Sequence, residues 1–369
     1  MVARLCEIAD PASIRIPGEP LRAVFTPDVL RTWSVVSKPS DALVHRLNVL
    51  NASGPSPADA EKSYSMKRRR AIRAAWEVYL EASFACGMFE GERGTELRAR
   101  LIGIDDDGFR SAIAECMTCW FLAGRMRFQV HGLAQGRGAK MLDMLAVLPD
   151  GEAGVEVKAP FRERPVGTTS WFGNDAGKIR QCLETAEKQL SKDTPNIVVI
   201  APSLRTPMFA DRRVLVQAIY GESVIVLDYN TEKGRMENER LEFSPRGKFL
   251  NRKRPDGKLL KPDGFPAYQR VSAVLCIEEH IRETHPFPAD ECVLASIADR
   301  ERGELIRLVE KKRKLYCGGA NQLWMEHNVL LLHNPYSYHA ISEELWSEFP
   351  QLVPRGDHME WTDGVVHPV

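Results

Sequence analysis

The chain has 369 residues, 44% hydrophobic and 27% charged, with 50 Lys and Arg balanced by 50 Asp and Glu. That is enough sequence for two domains or one elaborated domain, and the absence of a net basic charge excludes a globally basic nucleic-acid binder, leaving local patches to meet any phosphates. No apolar run approaches the ~18 residues of a membrane span, the N-terminal MVARLCEIADPASIRIPGEP lacks a signal-peptide core, and eight cysteines are too few for a disulfide scaffold at this length, so a cytoplasmic protein without a membrane partner is expected.

Residues 1–55 are Pro-rich and read as irregular, with a helical stretch over 40–50. NASGPSPADAEKS reads as a linker that contains a helix start. A helix is predicted over 58–85, because Ile72, Trp76, Tyr79 and Leu80 recur at three- and four-residue spacing. It carries Lys67, Arg68, Arg69, Arg70 and Arg73, either as a solvated charged face or as a phosphate-contacting patch. A second helix is predicted over 108–124, with Glu115 among small and apolar neighbours. The preceding Asp105, Asp106 and Asp107 could bind a metal, but a helix N-terminus also explains them, since carboxylates there cap free amides and meet the dipole. Cys116 and Cys119 would be half of a zinc site, but no second CxxC completes it, and buried helix cysteines account for them better. RMRFQVHGLAQGRGAK is extended and glycine-punctuated, with Arg137 and Lys140 in a loop able to touch phosphates.

Residues 141–160, MLDMLAVLPDGEAGVEVKAP, are a predicted β-hairpin. KMLDMLAVLP is a nearly all-apolar strand, and Pro149, Asp150 and Gly151 supply the turn. In the second strand Val155 and Val157 alternate with Glu156 and Lys158. A long loop follows over 161–177, then a helix over 176–190 with Ile179, Leu183, Ala186 and Leu190 as its core stripe, then the buried strand of PNIVVIAPS. Further strands are expected at VLVQAIYG or VIVLDYN, at 271–279 and at 328–335, and helices at 300–314 and 340–348. Residues 231–266 read as a polar, basic excursion, and HNPYSYH (His333 to His339) as a structural strand end rather than a zinc pair.

Three charges inside the hairpin demand an explanation: Asp143, Glu156 and Lys158. Mg²⁺ takes oxygen ligands, characteristically one or two carboxylates together with waters and substrate phosphate. Asp143 and Glu156 offer the carboxylates from adjacent strands, and the Val157 carbonyl a third oxygen. Lys158 projects from the face of Glu156 and can orient or deprotonate water, or stabilise charge on a phosphate. The alternative is that Glu156 and Lys158 form an exposed ion pair on an edge strand. That accounts for two of the charges but not for Asp143 among Met141, Leu142, Met144 and Leu145. Asp143 shares the face of the other two only if paired positions sum to an odd number, or if a bulge intervenes.

An Asp followed across a hairpin by Glu-x-Lys, then a helix and a buried strand, resembles the PD-(D/E)xK superfamily of restriction-endonuclease-like nucleases. The resemblance covers about 105–202, and the family's Pro before the Asp is here Leu142. It implies an α/β fold with a mixed β-sheet flanked by helices, and a Mg²⁺- or Mn²⁺-dependent nuclease acting on DNA, in restriction or defence. It implies a further acidic metal-site member from the preceding helix, Glu115, and a returning side chain from the following helix, for which Lys178, Gln181 and Gln189 are the candidates and Gln189 and Lys178, which flank the apolar stripe, are preferred. Lys67, Arg68, Arg69, Arg70, Arg73, Arg137, Lys140, Lys178 and loop 161–175 would contact nucleic acid. The expected organisation is a mostly helical region 1–95, a nuclease-like core 96–230 and a C-terminal α+β extension 231–369 packed on the core. A second copy of the chain or another protein is a further expected partner. The competing expectation is a catalytically inactive nucleic-acid-binding or complex-assembly protein on the same fold.

Overall fold

A computed structural model describes residues 18–51, 64–132, 142–160, 175–202, 212–220, 223–230, 235–243, 268–284, 322–355 and 358–362. Helices and a mixed sheet place the chain in the α/β class. It divides into two units, one of 1–135 with 279–327 and 369, the other of 136–278 with 328–368. Among the described residues, no helix is long and apolar enough to cross a membrane.

The first unit carries α1 (Glu19–Val24), α2 (Pro27–Ser34), α3 (Asp41–Leu50), α4 (Tyr64–Ala85), α5 (Gly91–Ile102) and α6 (Asp106–Trp120). A π-helical turn (Phe121–Arg125) and the short strand β1 (Gln129–Gly132) follow. Helices α1 and α2 lie in the stretch expected to be irregular, and α5 was not expected. Pro27 sits in the first turn of α2, where its missing N–H is no loss, and the Thr26 side chain accepts from Val29 N. Ser40 caps α3 in the same way. Asp105 caps α6 by accepting from Gly108 N at 2.6 Å, while Asp106 and Asp107 pair with Arg46 and Arg110. The acidic triplet therefore has a capping and pairing role. Cys116 and Cys119 are both buried in α6. Trp76 of α4 meets Phe109 of α6 edge-on, with ring centroids 5.3 Å apart.

A buried polar group in this unit has a pH-dependent consequence. The Tyr79 hydroxyl donates to Glu279 Oε1 at 2.7 Å and lies 2.6 Å from His327 Nε2, and the Trp120 ring lies 4.7 Å from that imidazole. Burial pushes the Glu279 carboxyl up to about 7, against the opposing pull of the Tyr79 hydrogen bond. A carboxyl raised in the folded state holds a proton that the unfolded chain has already released. Its contribution is present in full below pH ~4.5 and is lost as pH rises through about 7, a change on the order of 3 kcal/mol. Glu279→Gln keeps an acceptor for Tyr79 without the ionisation. Urea melts at pH 5 and pH 8 should show a variant that gains on the natural protein as pH rises. A difference independent of pH would contradict the assignment.

The second unit carries β2 (Met144–Leu148), β3 (Gly151–Lys158), α7 (Asp175–Glu187), β4 (Asn196–Ile200), α8 (Arg212–Ile219), β5 (Ser223–Asn230) and β6 (Arg235–Phe243). It continues with residues 273–278 of β7 (Ala273–Thr284) and 328–333 of β8 (Gln322–His333), whose other residues belong to the first unit, and with a 3₁₀ turn (Glu344–Trp346), β9 (Gln351–Arg355) and β10 (His358–Thr362). Its sheet runs β2-β3-β4-β7-β8-β9-β10. The β2–β3 pair is antiparallel, β3–β4, β4–β7 and β8–β9 are parallel, and β9–β10 is antiparallel. The five residues of β4 are all buried, as a parallel strand with both faces covered requires. Ile179, Leu183, Ala186 and Leu190 are fully buried and pack with Val198, Ile200, Val274, Cys276 and residues of α8. At the hairpin turn Gly151 has φ +132°, a conformation L side chains rarely adopt.

Several expectations are corrected here. VLVQAIYG contributes to helix α8, while VIVLDYN forms β5. The polar excursion at 231–266 contains β6, which pairs antiparallel with β5. The helix expected at 340–348 is only the 3₁₀ turn, and the one at 300–314 lies outside the described residues. The two units interleave along the chain, and α6 belongs to the first. In HNPYSYH, His333 is buried and bonded to Gln351 at 2.8 Å. Asn334 donates to the carbonyls of Tyr268 and Val271. His339 meets Lys192 O. These are structural contacts at a strand end.

Candidate active site

The hairpin ladder pairs Met144 with Val155 and Leu148 with Gly151, so paired positions sum to an odd number. One further regular step would set Asp143 opposite Glu156. The chain does not take that step regularly. Asp143 N donates at 3.2 Å to the carbonyl of Val155, the residue already opposite Met144. Two residues set against one is the pattern of a β-bulge. Asp143 thus lies just outside β2, although it was expected inside that strand. Its side chain turns to the backbone of β3, where Oδ2 accepts from Val157 N at 2.7 Å. The carboxylate stands in for a strand acceptor, between Glu156 and Lys158 in sequence, and is 5% exposed.

The β3–β4 register sets Glu156 beside Val198 and Lys158 beside Ile200. Both partners belong to the cluster under α7 and α8, so Glu156 and Lys158 project onto the helix-covered face. Leu142 packs against the same cluster. It does so over Gly154, where a Cβ would meet Leu142 Cδ1 at 2.6 Å. Strand β3 lies between β2 and β4, and Glu156 is 2% exposed. A solvent-facing pair on an edge strand is therefore ruled out.

The Lys158 ammonium donates to Glu156 Oε1 and, at 3.3 Å, to Gln189 Oε1. Gln189 sits in the turn that ends α7, held by its own N–H on Ala186 O. The helix after the motif thus returns a side chain to Lys158. Burial pushes the Cys182 thiol up, and the charges of Lys158 and Lys178 oppose that rise. Lys158 O accepts from Ala201 N on the β4 side. Alternation then turns the Val157 carbonyl to the opposite edge of β3, the edge on which its N–H meets Asp143.

Two buried carboxylates and a backbone carbonyl on consecutive β3 positions and the adjacent bulge are a donor set suited to a hard divalent cation. Among the described residues no group of three or more His, Cys, Asp or Glu is placed to hold a metal. Waters and substrate phosphate would have to complete a Mg²⁺ shell, which is that ion's usual habit.

Other expected site residues lie elsewhere. Glu115 is in the first unit, 3% exposed, and both oxygens accept from the Arg100 guanidinium, at 2.6 and 2.9 Å. The partner sits on α5, the helix that sequence patterning missed. Lys67, Arg68, Arg69 and Arg70 are half-buried on α4, so they are not a fully solvated face. Arg73 is 4% exposed, which removes it from an open contact surface. Arg137, Lys140 and 161–174 of the loop lie outside the described residues. No family model, curated protein or solved structure matches the chain.

Proposed function

We propose that the second unit is a restriction-endonuclease-like core that hydrolyses DNA phosphodiester bonds with Mg²⁺ or Mn²⁺, in a role such as restriction or defence. One observation carries this reading: three charges that a core hairpin has no structural need for are gathered around β3. Asp143 is oriented by Val157 N–H, Glu156 is paired with Lys158, and Lys158 is tied to Gln189. Asp143, Glu156 and the Val157 carbonyl would hold the cation. When bound, it supplies charge neutralisation at the phosphate and lowers the pKa of a water. The chain's own residues do the positioning. The Val157 amide fixes the Asp143 carboxylate by a charge-assisted hydrogen bond. Glu156 and Gln189 hold the Lys158 ammonium, whose side chain remains 19% exposed. Lys158 can there orient an attacking water or stabilise negative charge developing on the phosphate. Lys178, Lys67, Arg68, Arg69, Arg70, Arg137 and Lys140 supply candidate phosphate contacts.

A second reading is a catalytically inactive nucleic-acid-binding or complex-assembly protein on the same fold. The observation that favours it is Glu115, a candidate metal-site acid whose two oxygens are both engaged by Arg100. Isothermal titration with Mn²⁺ separates a working metal site from a relic. The natural protein should bind, and the Asp143→Asn, Glu156→Gln double variant should bind at least about tenfold more weakly. Equal binding by both, or none by either, would contradict the metal site.

A further inference from the structure

The first unit holds a chain of three titratable side chains that the proposed nuclease chemistry does not use. Glu279 on β7, Tyr79 on α4 and His327 on β8 meet at one atom, the Tyr79 hydroxyl oxygen. It lies 2.7 Å from Glu279 Oε1 and 2.6 Å from His327 Nε2, so both contacts are hydrogen bonds. The two ends differ in their access to solvent, because Glu279 is buried and His327 only half-buried. The Trp120 ring of α6 braces the chain, with its centroid 4.7 Å from the imidazole and 5.4 Å from the phenol. Other ionisable groups on these elements are turned away or neutral. Glu77 and Glu81 stand two residues either side of Tyr79, which places them on the opposite face of α4. Glu278 and His280 alternate to the other face of β7. On α6, Glu115 is paired with Arg100, and burial pushes the Cys116 thiol up to about 12. Among the described residues, Tyr79 is the hydrogen-bond partner of Glu279, and no cation pairs with it.

A hydroxyl has one proton, so Tyr79 can donate to only one of its two neighbours, and the other must donate to Tyr79. With Glu279 ionised, the carboxylate has nothing to donate. The hydroxyl then donates to Glu279, and His327 must carry a proton on Nε2. With Glu279 protonated toward Tyr79, the hydroxyl turns to His327, and Nε2 must be bare. The neutral imidazole then carries its proton on Nδ1. We propose that Glu279, Tyr79 and His327 form a proton relay in which ionisation of the buried carboxyl sets the tautomer of the imidazole, a pH-sensitive switch that links the interior of the first unit to solvent. The step balances. The Glu279 proton passes to the Tyr79 oxygen as the proton of that hydroxyl passes to Nε2, and the imidazolium so formed releases its Nδ1 proton to a solvent base. The sum is one proton moved from the carboxyl to solvent, with Tyr79 unchanged and His327 converted from one neutral tautomer to the other. Because the Glu279 carboxyl sits at about 7, the switch falls near neutral pH. Its effect on the far side of the ring is an inversion, since Nδ1 donates below the transition and accepts above it.

The experiment is nitrogen NMR of the full-length chain carrying ¹⁵N-labelled histidine, from about pH 6 to about pH 8.5, a range that brackets the transition. The His327 signals are assigned by their loss in His327→Gln. As pH rises through about 7, Nε2 should move from the resonance of a bare ring nitrogen to that of a protonated one, and Nδ1 should move the opposite way. In Glu279→Gln the tautomer should be the same at both ends of the range, because that side chain does not ionise. In Tyr79→Phe, which lacks the bridging hydroxyl, the tautomer should likewise cease to follow pH. The natural protein and Glu279→Gln decide the case if Tyr79→Phe fails to fold. Nε2 protonated throughout the range in the natural protein, or bare throughout it, would overturn the proposal, as would an unchanged transition in Glu279→Gln.

Discussion

Arg46→Ala is expected to destabilise the first unit by about 3 kcal/mol or more. Arg46 is 2% exposed and ends three separate polar networks. One nitrogen donates to Gly103 O at 2.8 Å, and another donates to Ile104 O at 3.0 Å and pairs with Asp106. Its guanidinium also lies 4.5 Å from the Phe109 ring centroid and 5.2 Å from that of Trp33. Burial lowers its pKa, and Asp106 opposes that fall. Removing the side chain takes away the donors for two carbonyls just past α5 and the charge opposite Asp106. It also leaves a cavity between two aromatic rings. Arg46→Lys should recover only part of the loss, because one ammonium cannot reproduce a planar fork that reaches three acceptors. Thermal melts followed by circular dichroism should show a drop of about 6–12 °C for the alanine variant. A shift within about 1 °C would mean that these contacts contribute nothing measurable.

The second large effect concerns Lys158. Lys158→Gln keeps a neutral amide donor, one bond shorter than the ammonium, and removes the positive charge. If that charge acts on the phosphate or its water, cleavage should fall by about 10²–10³-fold, in line with the loss of one well-placed electrostatic stabiliser. The variant leaves the buried Glu156 carboxylate without its countercharge, so a loss of stability is also expected, and activity is compared on protein that circular dichroism shows to be folded. Gln189→Ala removes only a positioning contact at 3.3 Å, so its effect should be smaller.

Strong periodicity made some of this structure legible in the sequence. The hairpin, the Ile179–Leu183–Ala186–Leu190 stripe and the all-apolar β4 each follow from one dominant pattern over a sufficient length. Elements without such a pattern were missed. α1 has only six residues, α2 begins at a proline, and α5 (GERGTELRARLI) is rich in Gly and charge. VLVQAIYG is a short apolar run whose helical and extended periods cannot be told apart. The position of Asp143 was beyond the reach of sequence for a different reason. Turn length constrains the ladder near Gly151, but the bulge at the far end depends on Asp143 replacing a backbone acceptor for Val157. The awkwardness of an Asp in an apolar run was visible, but the hydrogen bond that resolves it was not. Glu115 illustrates the converse, because an acidic residue in an apolar helix can be satisfied by an Arg on an unrecognised neighbour.

The central claim is that the charges around β3 cleave DNA with a divalent cation. Its most direct test is a time course of cleavage on supercoiled and linear DNA, with RNA in parallel, in Mg²⁺, in Mn²⁺ and in EDTA. The natural protein and Lys158→Gln are compared at equal, folded concentration. Cleavage of DNA by the natural protein that EDTA abolishes and Lys158→Gln loses is the predicted result. No cleavage under any condition, or cleavage undiminished in the variant, would contradict it.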